Sequence, residues 1–218
     1  MFRTLLSVII ITLIASCSGK QHVDRSAYEE ELNEREIKRV TDAELYEAAL
    51  KVGEKVANLS QQKLSSNLMR AIKDQGIEEA IRFCNLNAYS LVDSLKKEYD
   101  AEIKRVSAKY RNPLDKPDSL ESTILEAYQY NIDNNLELES NVQKTHNSDD
   151  FLFTKPITIN NPMCLQCHGE PDKELSLKTQ EVIKKLYPED RATNYKMNQL
   201  RGMWSIKLSR KKLILNEF

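Results

Sequence analysis

The run Cys164-Leu165-Gln166-Cys167-His168 constrains this 218-residue chain more than any other feature. Two thiols separated by two residues and followed at once by an imidazole are what covalent attachment of a c-type haem requires. The thiols add to the two vinyl groups on one edge of the porphyrin, and the adjacent imidazole reaches the iron from the same side. Cys164 and Cys167 are therefore read as thioether anchors and His168 as the proximal ligand. The motif occurs once, which implies one haem c. Gly169 follows directly and, lacking a side chain, lets the chain turn away from the porphyrin face. Two other chemistries compete. A redox disulfide between Cys164 and Cys167 lacks its usual strand and βαβ context. A zinc site recruiting Cys84 would ask the neighbouring Cys167 and His168 to share one tetrahedral ion.

The amino terminus supports the haem reading through compartment. Met1 to Ser16 carries one basic residue, Arg3, and an apolar run from Leu5 to Ile14 that is too short to span a membrane. It ends in Ile14-Ala15-Ser16-Cys17, like the cleavage site of a bacterial lipoprotein. The expectation is a signal peptide over 1–16, lipid on Cys17, a charged tether over 17–40 and a single domain over 41–218. An ordinary signal peptide or an uncleaved anchor is the alternative. Ser18, by resemblance to such lipoproteins, favours the outer membrane over the inner. Each version puts the domain on the periplasmic side of the cell envelope, where c-type haem is attached. A net charge of -1 gives no footprint for nucleic acid.

With Cys17, Cys164 and Cys167 assigned, Cys84 is the one cysteine left in an oxidising compartment. Ile77, Ala80, Ile81, Cys84, Ala88, Leu91 and Leu95 recur at spacings of three and four, so Cys84 points inward from a helix. A small core residue and an iron ligand are both consistent with that placement. The other candidates for the second axial position are Met69, Met163, Met197, Met203, His22 and His146. His22 lies in the tether and His146 in a polar loop. Met163 adjoins the motif on the wrong side, which leaves Met197 and Met203 as the credible methionines.

Thr41 with Glu44, and Asp118 with Glu121, have the spacing of capping boxes. The first opens a helix predicted to reach about Lys73, interrupted near Ser60, and the second a helix to about Ile132. Gly76 separates the first from the Cys84 helix, predicted to run to about Tyr99. Strands are expected over Glu102 to Lys109, Phe151 to Ile159 and Met203 to Leu208, with Pro156 confining the second to an edge or an end. A short helix over Leu177 to Leu186 is stopped by Pro188. Long helices on a small, mostly antiparallel sheet make an α+β domain. Arg105, Lys109, Arg111 and Arg201 fall near the loops expected to frame the cofactor. Arg111 and Arg201 are the candidates for pairing with its propionates. Trp204 and Tyr195 are read as core residues, or as shields of a haem edge.

These segments together resemble a bacterial domain family of unknown function. The resemblance rests on Ala80-Ile81-Arg82-Phe83-Cys84-Asn85, Arg105-Val106-Ser107, Arg111-Asn112-Pro113, Pro117-Asp118, Pro156-Ile157, the haem motif with Gly169, and Leu200-Arg201-Gly202-Met203-Trp204-Ser205. They occur in the same order from Thr41 to Leu208. The resemblance implies a single-haem c-type protein with a PAS-like fold, and makes Cys84 the iron ligand opposite His168. A haem-based redox or small-ligand sensor signalling to a separate protein partner is then the leading expectation. A one-electron carrier is the alternative, and a peroxidase ranks last for want of a distal base. Pairing of two copies through the amino-terminal helices is left open.

Overall fold

The computed structural model describes Arg25, Ser26, Glu29 and residues 40–218 other than 88, 89 and 146–148. The expected signal peptide, Cys17, His22 and His146 lie outside the described residues. The chain divides into two units, 1–37 and 38–218. In the first, Arg25 and Glu29 stand one helical turn apart and pair at 3.7 Å. Among the described residues no helix is long and apolar enough to cross a membrane.

The second unit opens with helix α1, Asp42–Gln75. Its start is the capping box expected from the sequence: the Thr41 hydroxyl accepts from the Glu44 amide, and the Glu44 carboxylate accepts from the Thr41 amide at 2.8 Å. Gly76 ends it at a positive φ of 87°, which glycine adopts without steric cost. The expected interruption near Ser60 does not occur. Ser60 is fully buried, and Val56, Ala57 and Leu64 around it hold the helix against the core. Helices α2, Ile77–Asn87, and α3, Asp93–Tyr99, replace the one long helix expected there, with a single 3-10 turn at Ser90–Val92 before α3. Asp100, φ 47°, closes α3 and turns the chain directly into the sheet.

Four strands form that sheet: β1, Ala101–Val106; β2, Asn141–Lys144; β3, Phe151–Thr158; and β4, Leu200–Leu208. Their order is β1-β4-β3-β2 and every pair is antiparallel. Pro156 sits beyond the last residue of β3 that pairs with β2, so on that side β3 is an edge and the missing amide is tolerated. The period of two sorts the side chains. Ile103, Phe151, Phe153, Trp204, Ile206 and Leu208 join the apolar stripe of α1 on one face. Val106, Leu152 and Met203 meet Ile124, Leu125 and Tyr128 of helix α4, Ser119–Asp133, on the other. The molecule is the α+β, PAS-like arrangement anticipated from the sequence. Helices α5, Leu165–His168, and α6, Leu177–Leu186, lie between β3 and β4, and α7, Arg210–Glu217, ends the chain.

The second capping box does more than open α4. Glu121 is 2% exposed, and its carboxylate accepts from the Asp118 amide, the Ser205 hydroxyl at 2.7 Å and Lys104 Nζ at 2.8 Å. One side chain therefore ties α4 to both β1 and β4, and a buried carboxylate with this many donors is well satisfied.

Close approach on the opposite face depends on Gly53, where an added Cβ would fall 2.2 Å from Phe153 Cγ. Gly53→Ala is expected to cost about 1–3 kcal/mol through overpacking. Urea denaturation should show this as a lower midpoint with an unchanged slope. An unchanged midpoint would mean that α1 does not press on Phe153 in this way.

Candidate functional site

The motif residues are presented by one tight turn of chain. Asn161 caps a 3-10 turn, Pro162–Cys164, by accepting from the Met163 amide at 2.9 Å, and the chain winds straight on into α5. Residues three and four apart share a helix face, so Cys164, Cys167 and His168 are presented together. The Gly169 amide closes the turn on the Leu165 carbonyl at 2.7 Å. A Cβ at 169 would lie 2.6 Å from that oxygen and 2.8 Å from Glu174 Cβ. Glycine is required here by proximity rather than by a positive φ.

The segment from Asp190 to Tyr195 cradles this turn. The Tyr195 amide donates to the His168 carbonyl and the Asn194 amide to the Gly169 carbonyl, both at 2.9 Å. His168 Nδ1 lies 2.7 Å from the Ala192 carbonyl, which can only accept, so Nδ1 carries the proton. The lone pair is thereby left on Nε2. Tyr195 packs edge-on against the imidazole, with ring centres 6.0 Å apart. The Tyr195 ring in turn carries Lys109 on it at 4.2 Å and Arg201 at 5.5 Å.

Arginines surround the imidazole. Arg201 Nε stands 3.5 Å from His168 Nε2, and its Nη1 donates to the Lys109 carbonyl at 3.3 Å. Arg111 donates from Nη2 to the Cys167 carbonyl at 2.6 Å and to the Ala192 carbonyl at 3.3 Å. It also grips Asp190 through Nε at 3.1 Å and Nη2 at 3.3 Å. Among the described residues these partners engage two of its three nitrogens, Nε and Nη2. Arg105 lies over the Trp204 ring at 5.9 Å.

Burial, reinforced by Arg201 and Arg111, holds the His168 pKa well below its usual value of 6.5 and keeps the ring neutral. Desolvation likewise pushes the Cys167 thiol up to about 11. Arg111 works against that rise, while the charges of Cys84 and Cys164 add to it. Cys84 is half-buried on α2, its pKa raised by burial and eased downward by Arg105 and Arg111. Cys84, Cys164 and Cys167 are all free thiols. α2 packs on α6 through Ile77, Ile81, Val182 and Ile183, with Cys167 against the same cluster. Among the described residues no three or more His, Cys, Asp or Glu side chains converge to hold a bare metal ion.

The methionines are placed otherwise. Met203 is fully buried with Val106, Leu125 and Tyr128, and Met197 is exposed in the turn after Tyr195. Trp204 belongs to the main core, where its indole donates to Gln61 at 3.1 Å. Asp190 and Ala192 do not stand out in the sequence. The available signal is local: an aspartate accepting from the amide two residues on, here Ala192 to Asp190 Oδ1 at 2.9 Å, is a common turn device.

Because folded His168 resists protonation, the unfolded chain binds more protons as pH falls below about 6.5, and stability declines there. The denaturation midpoint of the haem-free protein should drop between about pH 7 and about pH 5, and His168→Gln should flatten that dependence. An equal slope in both proteins would show that His168 is not shielded.

Comparison with known proteins adds three findings. Among curated proteins, none matches this chain. The crystal structure of the cyanobacterial heme-protein Tll0287 is similar to it, at 20% identity and a TM-score of 0.53, covering 78% of this chain and 98% of that one. At that identity the likeness speaks to fold, which agrees with the sheet and helices described above. The family model described as Tll0287-like matches residues 24–209, most of the sequence, and the chain belongs to the Tll0287-like family.

Proposed function

We propose that this chain is a c-type haem protein that senses redox state or a small ligand. One haem c is held through thioethers at Cys164 and Cys167, with His168 Nε2 as one iron ligand and Cys84 as the other. The observation that carries this reading is the 2.7 Å contact from His168 Nδ1 to the Ala192 carbonyl. Haem-ligating histidines need one nitrogen fixed as donor so that the other is free for iron, and this bond does that. Two free thiols on the same turn, with Cys167 packed against the cluster that includes Ile77 and Ile81 of the helix that carries Cys84, fit the remainder of the donor set. The likeness to a heme-protein supports the same cofactor.

The bound haem would supply a one-electron iron couple. An anionic sulfur from Cys84 stabilises ferric iron and lowers the potential, and burial with hydrogen bonding tunes it further. Arg201 Nε points at Nε2 in the haem-free chain. On this reading its guanidinium yields that position and pairs with a propionate, as bidentate geometry favours. Lipid on Cys17 would hold the domain at the periplasmic side of the envelope, preferentially at the outer membrane. Its signal would pass to a separate protein partner.

Expression of the full chain in cells that mature c-type haem should yield protein whose denatured mass exceeds the polypeptide by one haem. The haem should resist acidic acetone, and Cys164→Ala with Cys167→Ala should abolish the increment. Protein carrying extractable haem would refute covalent attachment, and protein with no haem would refute the reading altogether.

A further inference from the structure

Arg111 and Asp190 form a closed ring around the residue that holds His168. Asp190 Oδ1 accepts from the Ala192 amide at 2.9 Å and from Arg111 Nε at 3.1 Å. Arg111 Nη2 then returns to the Ala192 carbonyl at 3.3 Å, the same oxygen that accepts from His168 Nδ1 at 2.7 Å. Ala192 is thus gripped at both its amide and its carbonyl, and its own side chain is fully buried. The pair is itself sheltered, with side-chain exposures of 11% for Arg111 and 8% for Asp190. The same guanidinium nitrogen reaches the Cys167 carbonyl at 2.6 Å, so the arginine spans the motif and the cradle at once.

The flanking bonds act in the same sense. The Arg191 amide donates to the Tyr110 carbonyl at 2.9 Å and Lys109 Nζ to the Thr193 carbonyl at 2.6 Å. The cradle is therefore tied, residue by residue, to the segment that carries Arg111.

From this geometry we infer that Arg111 and Asp190 are positioning residues, which fix the Ala192 carbonyl and through it the Nδ1-protonated tautomer of His168. The role of the imidazole as a metal ligand rests on the function proposed above, whereas the tautomer is a property of the haem-free chain. A free neutral imidazole exchanges between tautomers, and without the ring of bonds the Ala192 oxygen is no longer held where it selects one. Lysine cannot replace Arg111, because it lacks the planar fork that serves a carboxylate and two carbonyls together.

The experiment is nitrogen-15 NMR of the His168 side chain in the full chain bearing Cys164→Ser and Cys167→Ser, which is haem-free by design. The parent should show a single Nδ1–H tautomer, and Arg111→Met, Arg111→Lys and Asp190→Asn should each show averaged imidazole shifts. Circular dichroism checks that each variant is folded, and the isosteric Asp190→Asn decides the matter should Arg111→Met fail to fold. A parent imidazole in any other state, or folded variants that keep a pure Nδ1–H tautomer, would overturn the inference. Haem loading is scored separately on the chain with its cysteines intact. Failure to bind haem would refute the proposed function and leave the result of the tautomer measurement standing.

Discussion

The hydrogen bond between His168 Nδ1 and the Ala192 carbonyl joins the two segments from which the site is made. On one side is a four-residue helix too short to be stable alone, since a single turn fixes several dihedral angles for very few bonds. On the other is an irregular loop between α6 and β4. Each holds the other in shape: the loop amides satisfy the carbonyls of His168 and Gly169, and the helix gives the loop its acceptors. The imidazole orientation is the sum of those bonds.

The sheet supplies the frame. β4 pairs with both β1 and β3, so the strand leaving the cradle is anchored on its two sides. Glu121 fastens β1 and β4 to α4, and α1 covers the opposite face with the largest apolar cluster. Arg105 and Arg111, on and just after β1, are carried to the motif by this pairing. Burial, reinforced by the cations near His168, keeps its ring unprotonated and leaves its Nε2 lone pair available. Protein groups beyond the immediate ligands set both orientation and basicity in such sites.

Features written in short-range code were legible from the sequence. Thr41 with Glu44 and Asp118 with Glu121 gave two helix starts, Gly76 a helix stop, and Pro188 the limit of α6, because each acts within one turn of chain. Strands β1 and β4 followed from alternation and β3 from its β-rich composition, to within a few residues. What escaped depends on distant partners. Ser60 remains helical because the core holds its neighbours, the chain after Asn87 restarts as a separate helix, and the four-residue β2 exists only by pairing with β3. At the site, the Cys164-Leu165-Gln166-Cys167-His168 motif was evident. The cradle was not, since Asp190 and Ala192 gain meaning only when Arg111, 79 positions before Asp190, folds beside them.

On the function proposed above, His168 and Cys84 would hold one iron between them. Low-temperature EPR of the ferric, haem-loaded protein addresses this directly. A low-spin signal with the narrow g-spread of thiolate ligation is expected, lost or replaced in Cys84→Ser. A wide spectrum typical of histidine and methionine ligation, unchanged by that substitution, would contradict the assignment of Cys84.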